Sequence, residues 1–134
     1  MNSTTEKGQS LVELAISFTF LIFLLAGIVE FGLVFFQYVQ LRDAAQEGAL
    51  YGSYCPDLNQ INLRARGAST SPIDLHGVDV QVQIENEGFE GGDLKVTILY
   101  PHKVVMPFIN KFIGDYVNLN ATVTDTILKV DGCS

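Results

Sequence analysis

From Leu11 to Phe36 almost every position is apolar; after Gln37 the chain reads like an ordinary folded domain. Between Glu13 and Glu30 only Ser17 and Thr19 carry polar side chains, and Gly27 carries none. A run of this length reaches the roughly 20 residues a helix needs to cross a bilayer. It exceeds the roughly 7–15 apolar residues of a cleaved secretory signal, and Gln37, Tyr38, Val39 and Gln40 offer no small-x-small cleavage site. The pattern predicts a retained membrane helix with a short tail, Met1–Gly8, before it and a domain after it. Charge gives only a weak orientation signal: Lys7 precedes the run, offset by Glu6, and Arg42, Asp43 and Glu47 follow it.

The same helix is expected to run on into water. In "QYVQLRDAAQEGALYGSYCP", Val39, Ala45 and Ala49 stand among good helix formers, so the helix extends by several turns. Gly52 and Ser53 read as its terminators, and Pro56 makes further continuation unfavourable. "PDLNQINLRARGAS" predicts a short second helix with Leu58, Ile61 and Ala65 on one face. The period then changes to two. Val78, Val80, Val82 and Ile84 alternate with polar residues, and so do Leu94, Val96, Ile98 and Tyr100. The glycine-rich "ENEGFEGGD" between them reads as a long hairpin loop. Val105, Phe108, Ile109, Phe112, Ile113 and Tyr116 stand at helical spacing, with Pro107 near the start and Gly114 near the end, so a third helix is expected. Val117, Leu119, Ala121 and Val123 then form a last strand whose Asn/Thr face meets solvent. The expected fold is α+β: a long N-terminal transmembrane α-helix, then a small three-stranded antiparallel sheet domain with one or two packed helices. The segments are 1–8, 9–52 and 53–134.

Composition narrows the function classes. A chain of 134 residues is one small unit with an appended helix. A net charge of -7 with no Lys/Arg run argues against nucleic acid as a partner, since phosphate binding needs a basic surface. No Ser/His/acid or Cys/His constellation points to catalysis, and no cofactor is expected. His76 and His102 show no zinc-ligand spacing to either cysteine, and His102 beside Lys103 is expected at the surface. Glu85, Asn86, Glu87, Glu90 and Asp93 offer oxygen ligands of the kind calcium takes, but without EF-hand spacing a solvated hairpin is the better reading. Cys55 and Cys133 are the only cysteines. In an oxidising extracytoplasmic space they suggest one disulfide tying the last strand to the helix end; in a reducing one they stay two thiols. Closing so long a loop contributes roughly 4 kcal/mol in the chain-entropy model.

The two glutamates of the apolar run need reasons. A carboxylate at mid-membrane costs about 2.5–3.5 kcal/mol on insertion scales, less near an edge. By itself, Glu13 reads as an interfacial residue facing headgroups and water. Glu30 lies seventeen residues further on, about 25 Å along a helix. It is either at the opposite interface or in contact with a partner helix, which Gly27 and Gly32 would let approach.

Gly8-Gln9-Ser10-Leu11-Val12-Glu13, followed by an unbroken apolar helix, resembles the class III signal of type IV pilin-like proteins. The wider pattern is similar to the TadE-like family of tight-adherence (Flp) pilus pseudopilins. That family's "G-Q-x-x-V-E" start stands here as Gly8 to Glu13. Its late acidic-aromatic-glycine element stands as Glu30-Phe31-Gly32, and its Ala/Gly-rich helix end as "RDAAQEGALYGS". Leu50 stands where the family often has Arg, and Leu14 where Flp-type pilins commonly place an aromatic. The resemblance is strong over residues 8 to 52 and architectural beyond. It implies cleavage after Gly8 by a prepilin peptidase, leaving Gln9 as the new N-terminus and Glu13 as fifth residue. The Glu13 carboxylate then pairs with that α-ammonium, or with a neighbouring subunit's, and sets axial register between packed helices. The implied role is a minor pilin or pseudopilin, not an enzyme, that assembles into or primes a pilus used in surface attachment. Its implied partners are the peptidase, other pilin and pseudopilin subunits, the inner-membrane assembly platform and the lipid bilayer, with the C-terminal domain extracytoplasmic. The alternative is an uncleaved single-pass membrane protein with a small extracytoplasmic binding domain, which has no use for the Gly8-to-Glu13 spacing.

Overall fold

Long helices need either strong propensity or a face to bury, and the first helix has both in different halves. A computed structural model describes residues 3–69, 73–85 and 91–128, with residues 3–7 described by backbone alone. Helix α1 spans Ser3–Tyr54 without interruption, about 78 Å at 1.5 Å per residue. Its C-terminal half carries a buried stripe: Glu30, Leu41, Ala44, Ala45, Gly48, Ala49, Gly52 and Ser53, with Val34 and Gln37 half-buried between them. Those three- and four-residue steps put one helix face against the domain. Between Gly8 and Val29 nothing is buried.

Helix α2, Leu58–Gly67, follows a short break at Cys55–Asp57. The Asp57 side chain caps it by accepting from Asn59 N at 2.9 Å. Ile61 and Ala65 face inward as expected, whereas Leu58 is exposed. Strands β1 (Asp79–Glu85), β2 (Asp93–Lys103) and β3 (Tyr116–Thr126) make an antiparallel meander in the order β1-β2-β3. Register pairs Val82 with Val96 and Val96 with Val123. The even-numbered apolar residues of β1 and β2 and the odd-numbered ones of β3 point to α1 and α2. On the far face the Thr97 and Thr122 hydroxyls are 3.0 Å apart. The fold is the α+β arrangement expected, with the core formed where the upper half of α1 and α2 cover one sheet face.

Two expectations are corrected. Gly52 and Ser53 do not stop α1; they lie inside its last turn, and the helix ends after Tyr54, two residues before Pro56. Gly52 is there for closeness. A Cβ on it would stand 2.2 Å from Leu94 Cδ2 and 2.8 Å from Ile61 Cδ1. The segment expected as a third helix from Val105 to Tyr116 contains only the single turn α3, Asn110–Ile113, with no buried residue. Strand β2 runs on to Lys103, and Phe108 has a positive φ of 83° just after Pro107, which no helix tolerates. Of the hairpin loop, Asn86, Glu87 and Glu90 lie outside the described residues, as does Cys133.

Candidate functional site

The chemistry of this chain lies along α1, in two zones divided at Glu30. In the lower zone Gly8, Gln9 and Glu13 are exposed. Gln9 and Glu13 are four residues apart and so share a face, one turn from each other. The Glu13 carboxylate meets no hydrogen-bond or ion-pair partner among the described residues. Every large apolar side chain from Leu11 to Val29 is exposed, although the Phe23 ring also meets the Phe108 ring. The polar exception Thr19 satisfies itself by donating to Ala15 O at 2.8 Å, as a hydroxyl in a helix surrounded by hydrocarbon does. Among the described residues, one helix, Gly8–Tyr54 within α1, is long and apolar enough to cross a membrane. A helix apolar all round requires lipid or other helices around it. At Gly27 and at Gly32 a Cβ would meet nothing within 4 Å among the described residues, so packing on those residues requires neither glycine.

At Glu30 the surroundings change. Its side chain is about 5% exposed and turns onto the sheet domain rather than outward. Oε1 accepts from His102 Nε2 at 2.9 Å and from Val105 N at 3.0 Å, and Oε2 accepts from Met106 N at 2.9 Å. The other ring nitrogen of His102 bonds the Gln37 amide oxygen, one face-repeat up the same helix. Two side chains of α1 therefore hold the imidazole at the end of β2 from both sides. The carboxylate takes the two backbone amides where β2 gives way to the β2–β3 loop. Charge-assisted bonds of this kind are the strong ones, and here they join residues 72 to 76 positions apart.

His102 is thus a buried residue, not a surface one. The sequence held a signal for it: the alternation Leu94, Val96, Ile98, Tyr100 extends by two to His102 and places it on the inward face. Nothing local in the sequence points to its pairing with Glu30. His76 is exposed and apart from this cluster. Cys55 is buried immediately beyond α1, where its N–H bonds Tyr51 O at 3.0 Å. After β3 the chain returns to the helix end, Leu128 N donating to Ser53 O at 2.8 Å.

Residues 8–50 match the model of the family described as TadE-like protein. The match covers the exposed lower zone of α1, the Glu30-Phe31-Gly32 element and most of the stripe that packs on the domain, and it leaves the sheet outside. No curated protein and no solved structure matches the chain.

Proposed function

On the premise of a TadE-like helix over residues 8–50, we propose that the chain is a minor pilin or pseudopilin of a tight-adherence pilus. The observation that carries the proposal is α1 itself. Its lower zone is apolar, exposed and headed by Gly8, Gln9 and Glu13, while its upper zone carries a small sheet domain. The role is structural rather than enzymatic. In this reading a prepilin peptidase removes residues 1–8, and the Glu13 carboxylate meets an α-ammonium of its own chain or of a neighbour. The apolar zone, with bare backbone at Gly27 and Gly32, moves from lipid to a bundle of pilin and pseudopilin helices at the inner-membrane platform. The domain stands on the extracytoplasmic side.

Co-expression with a cognate prepilin peptidase is expected to give a chain beginning at Gln9 by intact mass, and Gly8→Ala to slow that cleavage. Glu13→Ala should insert in the membrane at least as well as wild type, because a charge leaves the helix, yet be depleted from sheared pili. A chain that keeps Met1 beside an active peptidase would favour the uncleaved single-pass alternative. Wild-type recovery of Glu13→Ala in pili would remove the register role alone.

The Cys55–Cys133 disulfide belongs to the same reading. It is supported by the return of the chain at Leu128 to Ser53, five residues before Cys133 and two before Cys55. Non-reducing peptide mapping of native protein should show one intramolecular bridge, and Cys133→Ser should lower domain stability by about 2–4 kcal/mol. Two freely alkylated thiols in native material would exclude it.

A further inference from the structure

The segment after β2 is where the fold leaves apolar surface uncovered. Phe112 is 86% exposed and Phe108 56%, and Val105, Ile113 and Tyr116 are exposed beside them. This patch is not at the top of the domain. It descends along α1 from the Glu30 contact. The Phe108 ring packs edge-to-face on Phe23, with centroids 5.7 Å apart. Phe23 precedes Glu30 by seven residues, so the tip reaches about 10 Å down the helix from it.

That level is decided by the helix. A hydrocarbon layer about 30 Å thick, entered at Leu11, extends to about residue 31 at 1.5 Å per residue. Phe23 then lies well inside the layer, and so does what packs against it. Most of the tip's backbone N–H groups are paired. Val104 N bonds Asp115 O, Val105 N and Met106 N bond Glu30, and Pro107 has no N–H. Lys111 N bonds Phe108 O, Phe112 N and Ile113 N bond Ile109 O, and Gly114 N bonds Asn110 O. The amides of Phe108, Ile109 and Asn110 have no partner among the described residues. Unpaired backbone is disfavoured in hydrocarbon, so these three amides limit the depth of the backbone and leave the side chains of Phe108 and Phe112 to enter the acyl region. Lys111, the charged residue of α3, has a stem long enough to carry its ammonium toward headgroups.

We propose that the β2–β3 tip, residues 105–113, is a second, monotopic membrane anchor. Phe108 and Phe112 sit in the acyl region of the leaflet on the domain's side, beside the spanning helix. The occupant of the exposed apolar patch is lipid. This inference rests on the reading of α1 as a membrane helix. It goes further in fixing the depth of the sheet domain, which stands partly sunk in the bilayer rather than on a stalk above it. On leaving the membrane the tip must exchange lipid for another apolar surface, so extraction of this subunit costs more than extraction of a bare helix.

The chain has no tryptophan, so single-tryptophan variants of the full-length protein in phosphatidylcholine vesicles read depth directly. Phe112→Trp is the test; Phe20→Trp, in the spanning helix, and Leu63→Trp, exposed on α2, are the references. Lipids brominated on the acyl chain should quench Phe112→Trp roughly twofold, about as strongly as Phe20→Trp, and leave Leu63→Trp nearly unchanged. A water-exposed, unquenched Phe112→Trp beside a quenched Phe20→Trp would overturn the anchor alone. Blue-shifted but unquenched emission would overturn it too, in favour of burial against a second copy. An unquenched Phe20→Trp would remove the membrane reading of α1 and the anchor together.

Discussion

Gly52→Val is expected to unfold the sheet domain while the apolar half of α1 stays in the membrane. The added Cβ alone falls 2.2 Å from Leu94 Cδ2, 2.8 Å from Ile61 Cδ1 and 3.1 Å from Ile61 Cγ1. Both neighbours are fully buried side chains of the core, one from β2 and one from α2, so neither can swing into solvent to make room. Overpacking a tight core costs about 1–3 kcal/mol. The two further carbons of valine, held to few χ1 rotamers in a helix, put it at or beyond the top of that range. Alanine separates the terms: it meets the same clash but gains about 1 kcal/mol of helix propensity over glycine. Gly52→Ala should therefore lower the domain melting temperature by roughly 5–10 °C, and Gly52→Val should leave no cooperative transition. Gly48→Ala is the milder neighbour, because its Cβ meets Ala65 Cβ at 3.1 Å and a small shift of α2 relieves it. Thermal melts followed by circular dichroism in detergent would check the order. A Gly52→Val protein that melts like wild type would mean that α1 and α2 stand further apart.

The contrast between that glycine and its misreading shows what kind of information a sequence carries here. Patterns that repeat were legible. The period of two in Val80 to Ile84, Leu94 to Tyr100 and Val117 to Val123 is the sheet, because one face must be buried and the other wet. The apolar run is the exposed lower zone of α1. Where one residue type serves two purposes, pattern alone chose wrongly. A glycine near a helix end commonly terminates it, and nothing at Gly52 says that Leu94, far along the chain, will fill its missing side chain. The Gly48-to-Gly52 spacing, which lets helices approach, was the available clue. In the 105–116 segment the helical spacing of apolar residues is real, but the period reflects a surface turned away from the domain. The positive φ at Phe108, just after Pro107, is what breaks the helix, and the Val105 and Met106 amides before it are held by Glu30. Those contacts span 75 and 76 positions and leave no local trace.

Glu30→Ala should release the β2–β3 tip from the helix without unfolding the rest of the domain. The substitution removes one carboxylate that accepts from His102 Nε2, Val105 N and Met106 N. Three donors then lose their acceptor, the His102 ring N–H at a buried site and the two backbone amides at part-buried ones. Leaving buried donors unpaired, one of them in a charge-assisted contact, costs about 2–4 kcal/mol. The cost is local, because Leu41, Ala45, Ala49 and Gly52 still hold α1 to the sheet well above this point. Hydrogen exchange should therefore quicken at Val105 and Met106 by roughly 30-fold to nearly 1,000-fold, at tenfold per 1.4 kcal/mol. The amides of Val96 and Ile98 in β2 should keep their rates. Glu30→Gln is the graded control: its amide oxygen still accepts one bond, while its NH2 faces a backbone donor, so its rates should fall between. Glu13→Ala, whose carboxylate touches no part of the domain, should change neither set. If Val105 and Met106 exchange as slowly in Glu30→Ala as in wild type, the carboxylate does not hold the tip, and the 105–113 segment keeps its place beside Phe23 by apolar contact alone.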